Sequence, residues 1–190
     1  MGRGEDDTLL RLGRGEGVHA EVVVAGRGGQ GVLVFGTVLA HAAVCEGREV
    51  SYFPSYGVEV RGGLSRCSVV VSDEEIASPI VEEPDLLVLM DPGLLEEMEP
   101  QVKLGGRIFL NGEVGRRSEG RVYLYVPASD LALERGIPKA ANMVMLGAVA
   151  RETGIVGLAS LEEALLREGK ASEANREALR LGYETGARKL

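Results

Sequence analysis

Apolar positions along the chain fall into two kinds of run. Val22-Val23-Val24-Ala25 is short, continuous and rich in β-branched residues, which suits a strand buried on both faces. Residues 86–90 predict a further buried strand, and 49–53, 66–72, 107–110 and 122–126 read as strands as well. Between and after them lie longer stretches of small and apolar residues at helical spacing. Residues 32–46, with Gly47 as the stop, predict a helix, and 94–98 a short one. From Ser129 the pattern turns helical: 130–134, stopped by Gly136 and Pro138, then 140–152. Ser160-Leu161-Glu162-Glu163 has the form of a capped helix start, and 172–181 opens the last helix. Strands alternating with helices predict an α/β fold with a mostly parallel, doubly wound sheet and a helical C-terminal third.

The first strand, helix and second strand make a βαβ unit at about residues 21–53. At its first turn stands Gly26-Arg27-Gly28-Gly29-Gln30-Gly31, a G-x-G-x-x-G between a predicted strand and a predicted helix. Glycines there permit a tight turn and close backbone approach. The helix N-terminus beyond offers N–H groups and a positive dipole end to a phosphate. The same glycines also serve in some folds as packing devices, and the motif alone leaves both roles open. A dinucleotide dehydrogenase further requires an acid at the end of the second strand for the ribose hydroxyls. Here that strand ends Ser51-Tyr52-Phe53-Pro54, and Glu49 sits at its other end. A P-loop lysine is missing too.

Residues 54–63, Pro-Ser-Tyr-Gly-Val-Glu-Val-Arg-Gly-Gly, form a glycine-punctuated loop leaving the C-terminal end of the second strand, the edge where doubly wound folds place ligands. Ser55, Tyr56, Glu59 and Arg61 are therefore candidates for a ligand cleft or a subunit interface. A solvated Glu59–Arg61 pair is the plainer alternative.

Composition narrows the partners. The 190 residues carry 45% hydrophobic and 26% charged positions, as expected of one globular domain preceded by an arm at 1–18 that is Gly-, Arg- and acid-rich and poorly ordered. A net charge of −8 argues against a nucleic-acid partner. With neither an apolar run of membrane-spanning length nor a secretory signal pattern, a cytoplasmic location is expected. Cys45 and Cys67 read as buried thiols rather than cluster or zinc ligands, and His19 and His41 have no ligand partners at useful spacing. No nucleophile–base arrangement can be assembled, and the glycine–aspartate–glycine segment that holds thiamine diphosphate and magnesium is missing. A phosphate-binding edge without a reactive group describes a binding module or one piece of an enzyme.

The glycine turn, together with Pro54-Ser55-Tyr56-Gly57 and Glu59, Arg61, Gly62, Gly63, resembles the γ subunit of 2-oxoacid:ferredoxin oxidoreductases. Cys67 to Asp73 with Ile76, Ser78 and Pro79 fits the same pattern, as do residues 85–91, Ala141-Asn142-Met143 with Leu146-Gly147, and Asn175 near Gly182-Tyr183. The resemblance covers about residues 20–184 and implies a single Rossmann-like γ-type domain over 19–190. It implies a non-catalytic subunit, inactive alone, of an enzyme that oxidatively decarboxylates a 2-oxoacid to an acyl-CoA and reduces ferredoxin. Partners would be α and β subunits, with or without a ferredoxin-like δ subunit. These would carry thiamine diphosphate, magnesium and iron–sulfur clusters, with none of them bound by this chain alone. Coenzyme A is the shared substrate, its phosphate placed by position at Gly26, Gly28, Gly29, Gln30 and Gly31. The Ser-Tyr-Gly-x-Glu-x-Arg-Gly-Gly form is closest to the 2-oxoglutarate and branched-chain groups, with 2-oxoglutarate to succinyl-CoA the expected reaction. A stand-alone NAD(P)- or flavin-binding oxidoreductase is the alternative.

Overall fold

The computed structural model describes residues 17–56, 63–115 and 117–190. Seven strands form one sheet: β1 (His19–Arg27), β2 (Glu49–Tyr56), β3 (Leu64–Ser72), β4 (Leu86–Leu89), β5 (Arg107–Leu110), β6 (Val122–Tyr125) and β7 (Arg188–Lys189). The α-helices among the described residues are α1 (Val32–Cys45), α2 (Leu95–Met98), α3 (Ala128–Glu134), α4 (Ala141–Thr153), α5 (Leu158–Arg167) and α6 (Glu173–Thr185). The strand order is β2-β3-β1-β4-β5-β6-β7. β1, β4, β5 and β6 pair in parallel, whereas β3 runs antiparallel to both β1 and β2, and β7 antiparallel to β6.

The expected βαβ unit is therefore split. β2 runs in the same direction as β1, but β3 returns between them as the second arm of a hairpin. The sheet edge then falls on β2, which tolerates Pro54 inside the strand and carries it through Tyr56, past the expected end at 53.

Val22 and Val24 face one side of the sheet, Val23 and Ala25 the other, and all four are fully buried. Burial on both faces is why this strand is apolar without alternation. The two faces are covered unequally. α1, α3, α4, α5 and α6 all pack with Val22, Val24, Val69, Val88 and Phe109 on the first face. On the second, α2, the flanking 3-10 turns and loop residues such as Ile76, Val81 and Val102 cover Val23, Leu87, Leu89, Ile108 and Leu110.

Several ends differ from the sequence pattern for tertiary reasons. Val18, assigned to the arm, is buried; its N–H donates to Asp73 Oδ2 at 2.5 Å and its carbonyl accepts from Asp73 N at 2.8 Å. The remainder of that arm, residues 1–16, lies outside the described residues. α5 starts at Leu158 rather than after a Ser160 cap, because Gly157 is docked by its N–H on Glu46 Oε1 at 2.6 Å. Ser172, by contrast, caps α6 by accepting from Asn175 N at 3.2 Å. Cys67 is buried as expected, but Cys45 closes α1 half-buried. Among the described residues no helix is long and apolar enough to cross a membrane.

Candidate functional site

From β1 the chain moves through α1 to β2 on one side, returns through β3, and then places β4 on the other side of β1. The C-terminal ends of β1 and β4 thus flank the point where strand order reverses, the crevice in which open α/β sheets hold ligands. The glycine turn sits there.

β1 runs through Gly26 to Arg27, Gly28 N donates to Gly63 O at 3.0 Å, and α1 begins after Gly31. Gly29 and Gly31 have φ of 93° and 72°, in the left-handed region where a side chain is strained. A Cβ on Gly31 would also lie 2.8 Å from Asn142 Cγ on α4. Asn142 is 7% exposed and donates from Nδ2 to the Gly31 carbonyl at 3.0 Å, so α4 clamps the start of α1. A Cβ on Gly26 would meet Gln30 Oε1 at 2.6 Å and Met90 Cβ at 2.9 Å. Gly26 is thus the packing glycine of the motif, while Gly28 and Gly29 are exposed.

Gln30 spends its amide on the protein. Its Oε1 accepts from Arg27 N at 2.6 Å, and its Nε2 donates to the Met90 carbonyl at 3.1 Å. Asn111 at the end of β5 donates to the same carbonyl at 3.0 Å and to Ser129 Oγ at 2.8 Å. The turn is tied in this way across the ends of three neighbouring strands. α1 itself carries no acid in its first turn, so no carboxylate of its own competes for the positive end of the helix.

Arg27 reaches across the crevice to Asp91, Nε to Oδ2 at 2.7 Å, and Asp91 Oδ1 accepts from Gly93 N at 2.9 Å. The Arg27 hydrogen bond, only partly opposed by burial, holds the Asp91 carboxyl below the usual aspartate range, with Gly93 adding to it. Arg27, Asp91, Asn111 and Asn142 were not singled out from sequence as site residues. Placing β4 beside β1 would have found Asp91, since the strand-closing Asp91-Pro92-Gly93 stands out in the sequence.

Across three strands Gly26, Ser65 and Tyr56 lie in register, and so do Ala25, Arg66 and Ser55. Ser55 and Tyr56 therefore end β2 at the same sheet edge as the glycine turn, about 10 Å from β1 given two strand spacings. Ser55 is exposed. Glu59 and Arg61 lie outside the described residues. Among the described residues no group of three or more His, Cys, Asp or Glu could hold a metal ion. A cleft of about 670 Å³ is lined by Arg135 after α3 and by Arg176, Glu177 and Arg180 of α6. Two of its guanidinium groups are matched by acids, Arg180 with Glu162 at 2.6 Å and Arg135 with Glu177 at 3.5 Å, while Arg176 Nε is buried without a hydrogen-bond partner among the described residues.

A profile of the family described as "Pyruvate ferredoxin/flavodoxin oxidoreductase" matches residues 21–185. Ketoisovalerate oxidoreductase subunit VorA of Methanothermobacter thermautotrophicus is 43% identical over 151 residues, 79% of this chain but 31% of VorA. The chain thus spans about a third of that relative's length. 2-Oxoglutarate synthase subunit KorC of Methanothermobacter marburgensis is 40% identical over 158 residues, 78% of this chain and 85% of KorC. Among solved structures, the 2-oxoglutarate:ferredoxin oxidoreductase of Magnetococcus marinus, with 2-oxoglutarate, coenzyme A and succinyl-CoA bound, is similar with a TM-score of 0.78. It is 26% identical, and the match covers 87% of this chain and 30% of that one.

Proposed function

The chain belongs to the pyruvate ferredoxin/flavodoxin oxidoreductase family, and from that premise we propose that it is the γ subunit of a 2-oxoacid:ferredoxin oxidoreductase that supplies part of the coenzyme A site. Partner α and β subunits carry the thiamine diphosphate, magnesium and iron–sulfur clusters, and ferredoxin takes the electrons. The carrying observation is the glycine turn at the β1–β4 crevice, where Gly31 is held left-handed by Asn142 at the open N-terminus of α1. Backbone N–H groups of the first helical turn have no intrahelical acceptor, and with the helix dipole they suit a diphosphate.

In this proposal Gly29 and Gly31 offer backbone N–H groups to the coenzyme A diphosphate, Gly28, whose own N–H is donated to Gly63 O, lets the chain approach it closely, and Gly26 and Gln30 shape the turn from beneath. Ser55, Tyr56, Glu59 and Arg61 belong to the cleft rim or to the boundary with the partner subunits. This chain's contribution is to bind and orient the thiol-bearing substrate, and the chemistry at the 2-oxoacid lies in the partners. Its substrate is 2-oxoglutarate, a choice supported by the match over most of KorC and by the Ser-Tyr-Gly-x-Glu-x-Arg-Gly-Gly form. The 43% identity to VorA favours a branched-chain 2-oxoacid as the second reading.

Anaerobic capture of the tagged chain from its own cells tests both. The eluate should contain a thiamine- and cluster-bearing partner and reduce a viologen dye with coenzyme A and 2-oxoglutarate. Reduction with 3-methyl-2-oxobutanoate instead transfers the assignment to the branched-chain group. Capture of a partnerless chain without such activity overturns the subunit assignment.

A further inference from the structure

α1 lacks the charged face that its neighbours have. Over Val32–Cys45 it carries no Asp, Glu, Lys or Arg, and its polar side chains are Thr37 and His41, with Cys45 at the end. α5, by contrast, carries Glu162, Glu163 and Arg167, and α6 carries Glu177, Arg180 and Glu184. A helix that is apolar all round belongs in an interior, covered on every side.

The described residues cover α1 on only part of its circumference. At about 100° per residue, Leu33, Val34, Thr37, His41, Val44 and Cys45 fall on one arc of about 120°. These are the residues of α1 that are half-buried or exposed, and Val44 is 50% exposed, whereas Phe35, Leu39 and Ala43 on the opposite side are fully buried. The strip runs between β2 and the end of α5. On the first flank a Cβ on Gly36 would stand 2.8 Å from the Tyr52 ring, and on the second Glu168 Oε1 lies 2.6 Å from His41 Nδ1. Thr37 spends its hydroxyl on the Leu33 carbonyl at 2.9 Å, so covering the strip leaves that donor satisfied.

Resting on the subunit assignment above, we propose that the outer strip of α1 is the apolar centre of the interface with the partner subunit that corresponds to the part of VorA this chain does not match. Two observations select that occupant. The domain is one part of a longer chain in VorA but accounts for most of KorC. A contact made inside one chain in the first has to form between chains in the second. The strip also begins at the glycine turn, Leu33 following Gly31 by two residues. A thiol-bearing substrate held at that turn has to reach a 2-oxoacid held by a partner, which brings the partner to this end of α1. At about 20 Å the strip supplies the charge-free core of a contact that buries about 800 Å² per partner, and the polar rim lies around it.

Competition during assembly tests this. Wild type and variant, carrying different tags, are expressed together with the partner subunits, and the complex is purified through the partner. The wild-type copy should outnumber Val44→Lys or Thr37→Lys by at least about tenfold, since either lysine places an unpaired charge in a contact without water. Leu133→Lys puts the same charge on another exposed apolar position, on α3, and should compete evenly. Melting temperatures of the isolated variants check folding. Without any substitution, maleimide uptake at Cys45 should be slower in the complex than in the free chain. Even competition by both α1 variants, with Cys45 labelled equally fast in the complex, overturns the interface and leaves the subunit assignment standing. Exclusion of Leu133→Lys to the same degree overturns it too. If the lysines instead dissolve a dimer of the isolated chain while partner assembly persists, the strip joins two copies and the proposal fails. If no copy of the chain purifies with the partner, the subunit assignment fails and the interface with it.

Discussion

Gly147 on α4 and Gly182 on α6 lie where each helix touches the backbone of the other. A Cβ on Gly147 would stand 2.7 Å from Tyr183 N, with Leu179 O closer still, and one on Gly182 would stand 2.7 Å from Val144 C. No side chain can move aside there, because the obstructing atoms are main chain. Gly147→Ala and Gly182→Ala should each destabilise the chain by about 1–3 kcal/mol or more, the range of core overpacking. Denaturant melts measure it, with Gly115→Ala as the control, since a Cβ there meets nothing within 4 Å.

The hold of Asn142 on Gly31 links stability to ligand binding. Asn142→Ala removes the 3.0 Å bond and leaves the Gly31 carbonyl with Phe35 N as its remaining donor. A loss of about 0.5–1.5 kcal/mol follows. Coenzyme A affinity of the complex should fall as well, because the same bond sets where α1 begins. Unchanged affinity in a destabilised Asn142→Ala complex would separate the clamp from the ligand.

Asp91 gives the crevice an acid limit. Its folded-state pKa lies below the ordinary value through the Arg27 hydrogen bond. The link therefore contributes above the unfolded pKa of about 3.9, and the contribution disappears as pH falls through the lower folded value. The stability difference between wild type and Asp91→Asn should be constant from pH 5 to 7 and shrink on acidification below about pH 4. With Arg27 half exposed the difference is small, and high salt should reduce it further.

Burial pushes the Cys67 thiol up to about 12, outweighing the Gly36 backbone hydrogen bond and the Arg66 charge. A folded value above the unfolded one stabilises the fold fully below about pH 8.5 and does so less and less as pH rises towards 12. At pH 8 the native chain should take up maleimide at the half-buried Cys45 while Cys67 reacts only after unfolding, as peptide mass mapping would reveal. Rapid labelling of Cys67 in the folded chain would contradict the packing of its Sγ against Gly36, where an added Cβ would come within 2.5 Å.

What the sequence made legible was local. The run 22–25 declared a strand buried on both faces, and the glycine turn declared itself by standing between that strand and a helix. Lost were relations set by distant segments. The loop after residue 53 is too short for a parallel crossover and so implies a hairpin, but nothing local says that β3 will lie between β1 and β2 rather than outside them. Ser160 has a capping pattern around it, yet the helix obeys Glu46, 111 residues away, through Gly157. Arg27 and Asp91 are 64 residues apart, and only the parallel pairing of β1 with β4 brings them together. Gln30 matched the motif, but its amide turned out to be occupied by Arg27 N and Met90 O.

Pro54 has a consequence for how this end of the molecule meets its surroundings. Among the described residues β2 borders the sheet and pairs with β3 alone, so there its outer row of backbone groups, along residues 49–56, has no strand beside it. An unbroken row of that kind invites an extended segment of another chain to zip on. The proline ring interrupts it in the strand's second half, where a donor N–H is missing. With Phe53 61% exposed beside the ring, recognition at this border has to proceed by side-chain fit, and a stray strand gains no continuous ladder to follow.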